Sequence, residues 1–320
     1  MKNRLFEIHT PSDYNALAID IFHYQKENNR VYQKFLQLLN YTATPKSFEE
    51  IPCVPVSFFK SQALYCGDQL PDTYFTSSGT TGSIQSRHYY SDLNHYLKNA
   101  RNIFEQEYGA LENYYLYALL PGYQEREGSS LIAMVKHFLN YTKPGSGFFL
   151  HRNQDLANAL LHHPGEKKIV IGVTYALLDF AEEFPNELND VIIMETGGMK
   201  GTRKEMIKTE VHDMLKKAFH LNEIHSEYGM TEMFSQAYSK GNGIFKSPST
   251  LRIRCRAVND PFELLPPDKT GLINVYDLAC IDSIAFIAID DLGKYYRNET
   301  FEILGRLDHS DIRGCNLLVQ

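Results

Sequence analysis

Between residues 12 and 40 apolar positions recur at helical spacing, at Leu17, Ile21, Phe22, Tyr32, Phe35, Leu36 and Leu39. One or two amphipathic helices therefore open the chain as packing elements. Prolines at 45, 52 and 55 end that pattern, and Val54-Pro55-Val56-Ser57-Phe58-Phe59 reads as an extended approach to a Gly/Ser/Thr-rich loop. Past the loop the period alternates. Residues 91–108 and Ser129 to Leu139 read as helices, with Tyr114 to Leu120 as a strand between them. Ile169-Val170-Ile171-Gly172-Val173 reads as a strand, Tyr175 to Phe184 as a helix, and Val191 to Met194 as a strand running on to Gly197-Gly198. A helix from Lys204 to Phe219 and a short strand from Glu223 to His225 follow. Such alternation predicts an α/β body with a mainly parallel sheet.

Beyond residue 250 the runs become short and β-rich, as in Leu272 to Tyr276 and Ile284 to Ile289, with Pro266-Pro267 and Asp291-Leu292-Gly293 as turn residues between and after them. They predict a β-rich closing subdomain over about 250–306. No repeat, low-complexity tract or flexible linker divides the chain, so residues 1–320 are expected to form a single domain.

Composition narrows the function classes. With 43% hydrophobic residues among 320, the chain can bury a sizeable core. Lysine and arginine number 32 against 39 acids, a formal charge of −7, and no basic run or aromatic-basic ladder suggests a nucleic-acid surface. The start, Met1 to Glu7, reaches an acid before any apolar stretch of signal-peptide length, and no stretch approaches the roughly 18 apolar residues of a membrane span. Five scattered cysteines without metal or CxxC spacing fit a reducing compartment. The expectation is a cytoplasmic protein without a membrane span.

Three segments carry candidate chemistry. In Ser77-Ser78-Gly79-Thr80-Thr81-Gly82, small residues around two glycines let backbone N–H groups and hydroxyls converge on phosphate oxygens, although the layout is not that of the Walker loop and a plain polar turn has the same composition. Ser226-Glu227-Tyr228-Gly229-Met230-Thr231-Glu232 follows the expected short strand, where α/β folds bind ligands. There Tyr228 suits base stacking, Thr231 a phosphate oxygen and Glu232 a Mg²⁺ ion, the alternative being a surface turn with a core tyrosine. Asp290-Asp291-Leu292-Gly293 and Gly305-Arg306-Leu307-Asp308 supply carboxylates for ribose hydroxyls and a guanidinium for an anion, or else two hairpin turns.

In this order the segments resemble the core motifs of the adenylate-forming superfamily of acyl-CoA ligases and luciferases. The resemblance implies a phosphate loop at Thr76 to Gly82, adenine-flanking glycines at Gly197 and Gly198, and an adenine-stacking and magnesium segment at Tyr228-Gly229-Met230-Thr231-Glu232. It implies a ribose-binding Asp291 and a nucleotide-contacting Arg306. Leu120 to Leu131 and Glu195-Thr196-Gly197-Gly198-Met199-Lys200-Gly201 further resemble the LuxE-type acyl-protein synthetases, over most of the chain. That family activates a fatty acid with ATP, moves the acyl group to its own cysteine near the C-terminus, and passes it to a partner reductase.

The resemblance implies Cys315 as the acylated nucleophile, with Arg313 beside it to favour the thiolate; a buried, inert cysteine is the alternative. Cys53, Cys66, Cys255 and Cys280 lie in or beside apolar runs and read as core. The chain stops twelve residues after Asp308, so the mobile C-terminal domain of larger superfamily members, whose lysine binds carboxylate and phosphate, is expected to be absent. Lys200 or a partner's lysine stand as substitutes. His88 and His225 are left with either a site-lining or a structural role, and most other histidines read as surface residues. The expected reaction is ATP- and Mg²⁺-dependent conversion of a carboxylic acid, in the family a fatty acid, to its acyl-adenylate. Transfer to a thiol follows, with Thr231, Glu232 and Cys315 catalytic; an acyl reductase, a carrier protein or coenzyme A is the possible acceptor. Rival expectations are a phenylacetate-type acyl- or aryl-CoA ligase and a non-catalytic module that binds nucleotide or acyl ligands.

Overall fold

A computed structural model describes residues 1–77, 84–120, 128–197 and 206–306. The opening apolar pattern forms two helices, α1 (Pro11–Asn28) and α2 (Arg30–Leu38). A reciprocal Thr10/Asp13 capping box starts α1, and the Asn29 side chain starts α2 by accepting from the Val31 and Tyr32 N–H groups. The segment expected to be extended over 54–59 is so only at β1 (Val54–Pro55), and Phe58–Ser61 closes into a one-turn helix, α3. A hairpin of β2 (Tyr74–Thr76) and β3 (Arg87–Tyr89) flanks the Gly/Ser/Thr loop.

The alternating region follows the hydrophobic period closely. In chain order it comprises α4 (Leu93–Tyr108), β4 (Tyr115–Leu119), α5 (Ser130–Leu139), β5 (Gly147–Phe148), α6 (Asn153–Leu161), β6 (Lys168–Gly172), α7 (Thr174–Glu183), β7 (Val191–Glu195), α8 (Lys208–Phe219) and β8 (His225–Tyr228). Strands β5, β4, β6, β7 and β8 pair in parallel in that spatial order. Alternate strand residues enter two separate cores. Leu116, Ala118, Ile169, Ile171 and Met194 pack with α4 and α5, whereas Tyr117, Leu119, Val170 and Ile193 pack with α6, α7 and α8.

From β8 the same sheet continues antiparallel through β9 (Ala237–Ser239), β10 (Ile244–Lys246), β14 (Thr300–Arg306), β13 (Phe286–Tyr295), β12 (Thr270–Asp277) and β11 (Leu251–Arg256). With β1 joined to β13, twelve strands form this sheet among the described residues. The α/β body with a β-rich closing portion is thus present, and the two are hydrogen-bonded into one sheet. No helix among the described residues is long and apolar enough to cross a membrane.

Two boundaries differ from the sequence reading in ways that matter to the site. The strand expected at 223–225 is β8 itself, so Tyr228 ends a strand instead of following one. Asp291-Leu292-Gly293, read as a turn, lies inside the ten-residue β13, because pairing with β12 and β14 on both sides outweighs the turn preference of Asp and Gly. The helix expected from Lys204 is α8, beginning at Lys208.

Candidate active site

The site grows from the C-terminal ends of β7 and β8, where parallel strands present loops to a ligand. Glu195 closes β7 and is 5% exposed. It accepts hydrogen bonds from the Thr174 hydroxyl and the Gly197 N–H, both at 2.8 Å, and from the Ser226 hydroxyl at 3.3 Å, with Lys208 Nζ 3.5 Å away. Burial pushes its carboxyl up, but His212, Lys208 and Thr174 outweigh burial and hold it at about 2. This carboxylate fixes the turn into Gly197, whose φ of +77° lies in the left-handed region that glycine adopts without strain. Glu227, one strand over, takes the opposite form: burial and the Glu195 charge push its carboxyl up to about 8.

Tyr228 donates its phenol hydrogen to Asp291 Oδ2 at 3.1 Å. Arg306 lies directly across the β13–β14 ladder from Asp291, with Nε 3.5 Å from Oδ1. Three residues from separate segments therefore meet at one point. Burial raises the Asp291 carboxyl above its usual value against the lowering pull of Arg306 and Tyr228. Burial and the neighbouring Asp291 hold Tyr228 as a neutral phenol, far above its ordinary range. Phe245 and Phe301 contact its ring at tilted and edge-on angles, each with centroids 5.7 Å apart.

The turn after β8 carries Gly229, Thr231 and Glu232. A Cβ at Gly229 would stand 2.5 Å from Glu227 Oε1, so glycine there leaves room for the Glu227 carboxyl, which would otherwise have to shift. Glu232 is buried, and its charge acts on the Tyr228 phenol. Two anchors hold the turn. Buried Asp277, at the end of β12, accepts from the Phe234 and Ser235 N–H groups at 2.7 and 2.8 Å and from the Ser235 hydroxyl at 2.6 Å. On the other side His88 reaches the Thr231 carbonyl at 2.8 Å and the Ser283 hydroxyl at 2.7 Å. Burial drives His88 down to about 4, so it is neutral near pH 7. Asp277 was not singled out from the sequence; its signal is a lone acid between the apolar neighbours Tyr276 and Leu278.

Among the described residues no group of three or more His, Cys, Asp or Glu gathers to hold a metal unaided. One carboxylate and a neighbouring hydroxyl, as at Glu232 and Thr231, still suit Mg²⁺, which takes few protein ligands and fills its shell with waters and substrate phosphates.

At the loop itself, Ser77 accepts from the Ser86 N–H at 3.0 Å, and its own N–H donates to the Ser86 carbonyl at 3.2 Å, which extends the β2–β3 stem by one step. Ser78, Gly79, Thr80, Thr81 and Gly82 lie outside the described residues, as do Gly198, Lys200, Arg313 and Cys315. Of the other cysteines, Cys66, Cys255 and Cys280 are buried and Cys53 partly so. Burial pushes all four thiols up, Cys53 and Cys66 to about 12 and Cys255 to about 11. They are core residues and poor thiolates. His225 binds the Tyr108 hydroxyl at 3.0 Å, a structural role. His95 and His212, expected at the surface, are buried: each imidazole meets a polar partner inside, the Ala279 carbonyl for His95 and the Ser226 hydroxyl for His212.

Adenylate-forming enzymes are among the solved structures with this fold. An open conformation of 2-hydroxyisobutyryl-CoA ligase, in complex with 2-HIB-AMP and CoA, matches with a TM-score of 0.66 at 14% identity, over 93% of this chain and 70% of that one. ATP-bound MatB from Rhodopseudomonas palustris gives 0.55 at 14% identity over 73% of this chain. The amide bond synthetase McbA from Marinactinospora thermotolerans gives 0.51 at 13% identity over the same share. The matched region spans about half the length of MatB, 47%. No curated protein matches the chain. A family model described as "Acyl-protein synthetase, LuxE" matches residues 12–320, and the chain belongs to that family.

Proposed function

We propose that the chain binds Mg·ATP and a carboxylic acid, joins them as an acyl-adenylate with release of pyrophosphate, and passes the acyl group to a thiol. The observation that carries the reading is the meeting of Tyr228, at the end of β8, with Asp291 of β13 and Arg306 of β14, beside the turn that bears Thr231 and Glu232. In it Tyr228 offers a ring to the adenine, Asp291 accepts from ribose hydroxyls, and Arg306 supplies positive charge to the nucleotide. Ser77, Ser78, Gly79, Thr80, Thr81 and Gly82 hold the phosphates, and Gly197 and Gly198 flank the base next to Gly229. Mg²⁺, held by Glu232, supplies charge neutralisation on the phosphates.

In the first half-reaction a carboxylate oxygen of the acid attacks the α-phosphorus. The bond from that phosphorus to the α,β-bridging oxygen breaks, and pyrophosphate leaves with the electron pair. In the second, a thiolate sulfur attacks the acyl carbonyl carbon and AMP departs. Cys315 is the proposed thiol, as the family resemblance implies; burial disfavours the thiolate at each of the four described cysteines. A fatty acid is the proposed substrate, an acyl reductase or carrier thiol the onward acceptor, and a reducing cytoplasm the setting.

Exchange of labelled pyrophosphate into ATP, run with a panel of fatty and aromatic acids, tests the first step; no exchange with any acid overturns it. Labelled acid should then leave a hydroxylamine-sensitive label on the protein that Cys315→Ser abolishes. A label that survives the substitution places the acyl group elsewhere.

A further inference from the structure

Among the described residues the β2–β3 hairpin, which carries the proposed phosphate loop, shares no strand pairing with the large sheet. Its position against the rest of the site is therefore set by side chains and isolated hydrogen bonds. The rings of Phe75 and His88 pack on Phe234, at 6.2 and 4.3 Å between centroids, and apolar faces of this kind tolerate sliding. A directed bond does not. His88 lies opposite Phe75 in the stem and is fully buried. Its Nδ1 is 2.8 Å from the Thr231 carbonyl oxygen.

A carbonyl oxygen only accepts, so Nδ1 carries the hydrogen. Nε2 is then the acceptor, and the Ser283 hydroxyl donates to it at 2.7 Å, a shorter path than the 3.5 Å to the Cys280 carbonyl. The Thr231 carbonyl thus selects the tautomer, and the Ser283 hydroxyl, able to donate or accept, accommodates it. The Thr231 carbonyl belongs to the same rigid peptide plane as the nitrogen and Cα of Glu232. Holding that oxygen orients the plane, and with it the direction in which the Glu232 side chain leaves the backbone.

We infer that His88 is a positioning residue that registers the phosphate-loop stem against the Thr231–Glu232 turn through its Nδ1–H to the Thr231 carbonyl, an assignment that rests on the adenylation reading above. It acts through Glu232 and the loop and touches neither ATP nor acid.

The test contrasts two amides. Asn at position 88 places an N–H near the former Nδ1, and Gln places one near the former Nε2. Both lose the ring stacking on Phe234, so both melt lower. The expected result is that His88→Asn loses about threefold in pyrophosphate exchange and His88→Gln roughly tenfold or more, mainly in KM for ATP. Equal losses in the two variants, in step with their melting temperatures, overturn the inference and leave the adenylation reading standing. No exchange by the wild-type protein with any acid overturns both. A measurement on the wild-type protein needs no variant to fold: the imidazole ¹⁵N spectrum should show His88 protonated at Nδ1 alone, and protonation at Nε2 alone overturns the assignment.

Discussion

At the residue scale, neighbouring strands carry two buried acids in opposite forms. Glu195, held at about 2, contributes stability that is full above the ordinary 4.5 and is lost as pH falls through 2. Glu227, raised to about 8, contributes stability that is full below 4.5 and is lost as pH rises through 8. Glu227→Gln, an uncharged stand-in for the protonated acid, should therefore change stability little near pH 4.5 and stabilise near pH 8.5. The gain is bounded at roughly 5 kcal/mol by the size of the shift. Melting curves of both proteins at the two pH values check this, and an equal difference at both contradicts the assignment. Neither acid's form follows from local sequence, because the two side chains beside Glu195, Lys208 and His212, come from α8, thirteen and seventeen residues on.

At the element scale, the strand and helix alternation was legible where a strand is a short apolar run, as in β4, β6 and β7, and not at the Gly147-Phe148 strand β5. β13 was not legible either. Its Asp290, Asp291 and Gly293 have turn composition, yet β12 and β14 pair on both sides of them. A register shift between Leu292 and Gly293 accommodates the segment, and a Cβ at Gly293 would stand 2.5 Å from the Glu302 carbonyl. The phosphate loop, the Tyr228 to Glu232 turn, Asp291 and Arg306 could be named from composition and order. Their supports could not: His88 bonds residues 143 and 195 positions away, and Asp277 bonds residues 42 and 43 positions away. Asp277→Asn turns an amide donor toward N–H donors that the carboxylate now satisfies. It should cost about 2–4 kcal/mol and weaken nucleotide binding along with stability. Denaturant unfolding and calorimetric titration with ATP check it; unaltered affinity would free the Thr231–Glu232 turn from dependence on this clamp.

At the scale of the whole molecule, the parallel strands and the antiparallel closing portion have a division of labour. β7 and β8 bring the Gly197 turn, Tyr228 and the Thr231–Glu232 turn to their C-terminal ends, while β13 and β14 bring Asp291 and Arg306 across to meet them. One continuous sheet sets the spacing between the two halves, so the side chains proposed to contact the nucleotide are already brought together without it. The separate β2–β3 hairpin carries the segment proposed to hold the phosphates. The most direct measurement is acid-dependent exchange of labelled pyrophosphate into ATP, compared between the wild-type protein and Asp291→Ala. The account predicts exchange that requires a carboxylic acid and falls by roughly tenfold or more in the variant, the scale of a lost hydrogen bond to a charged group. Exchange indifferent to Asp291, or none with any acid offered, would contradict it.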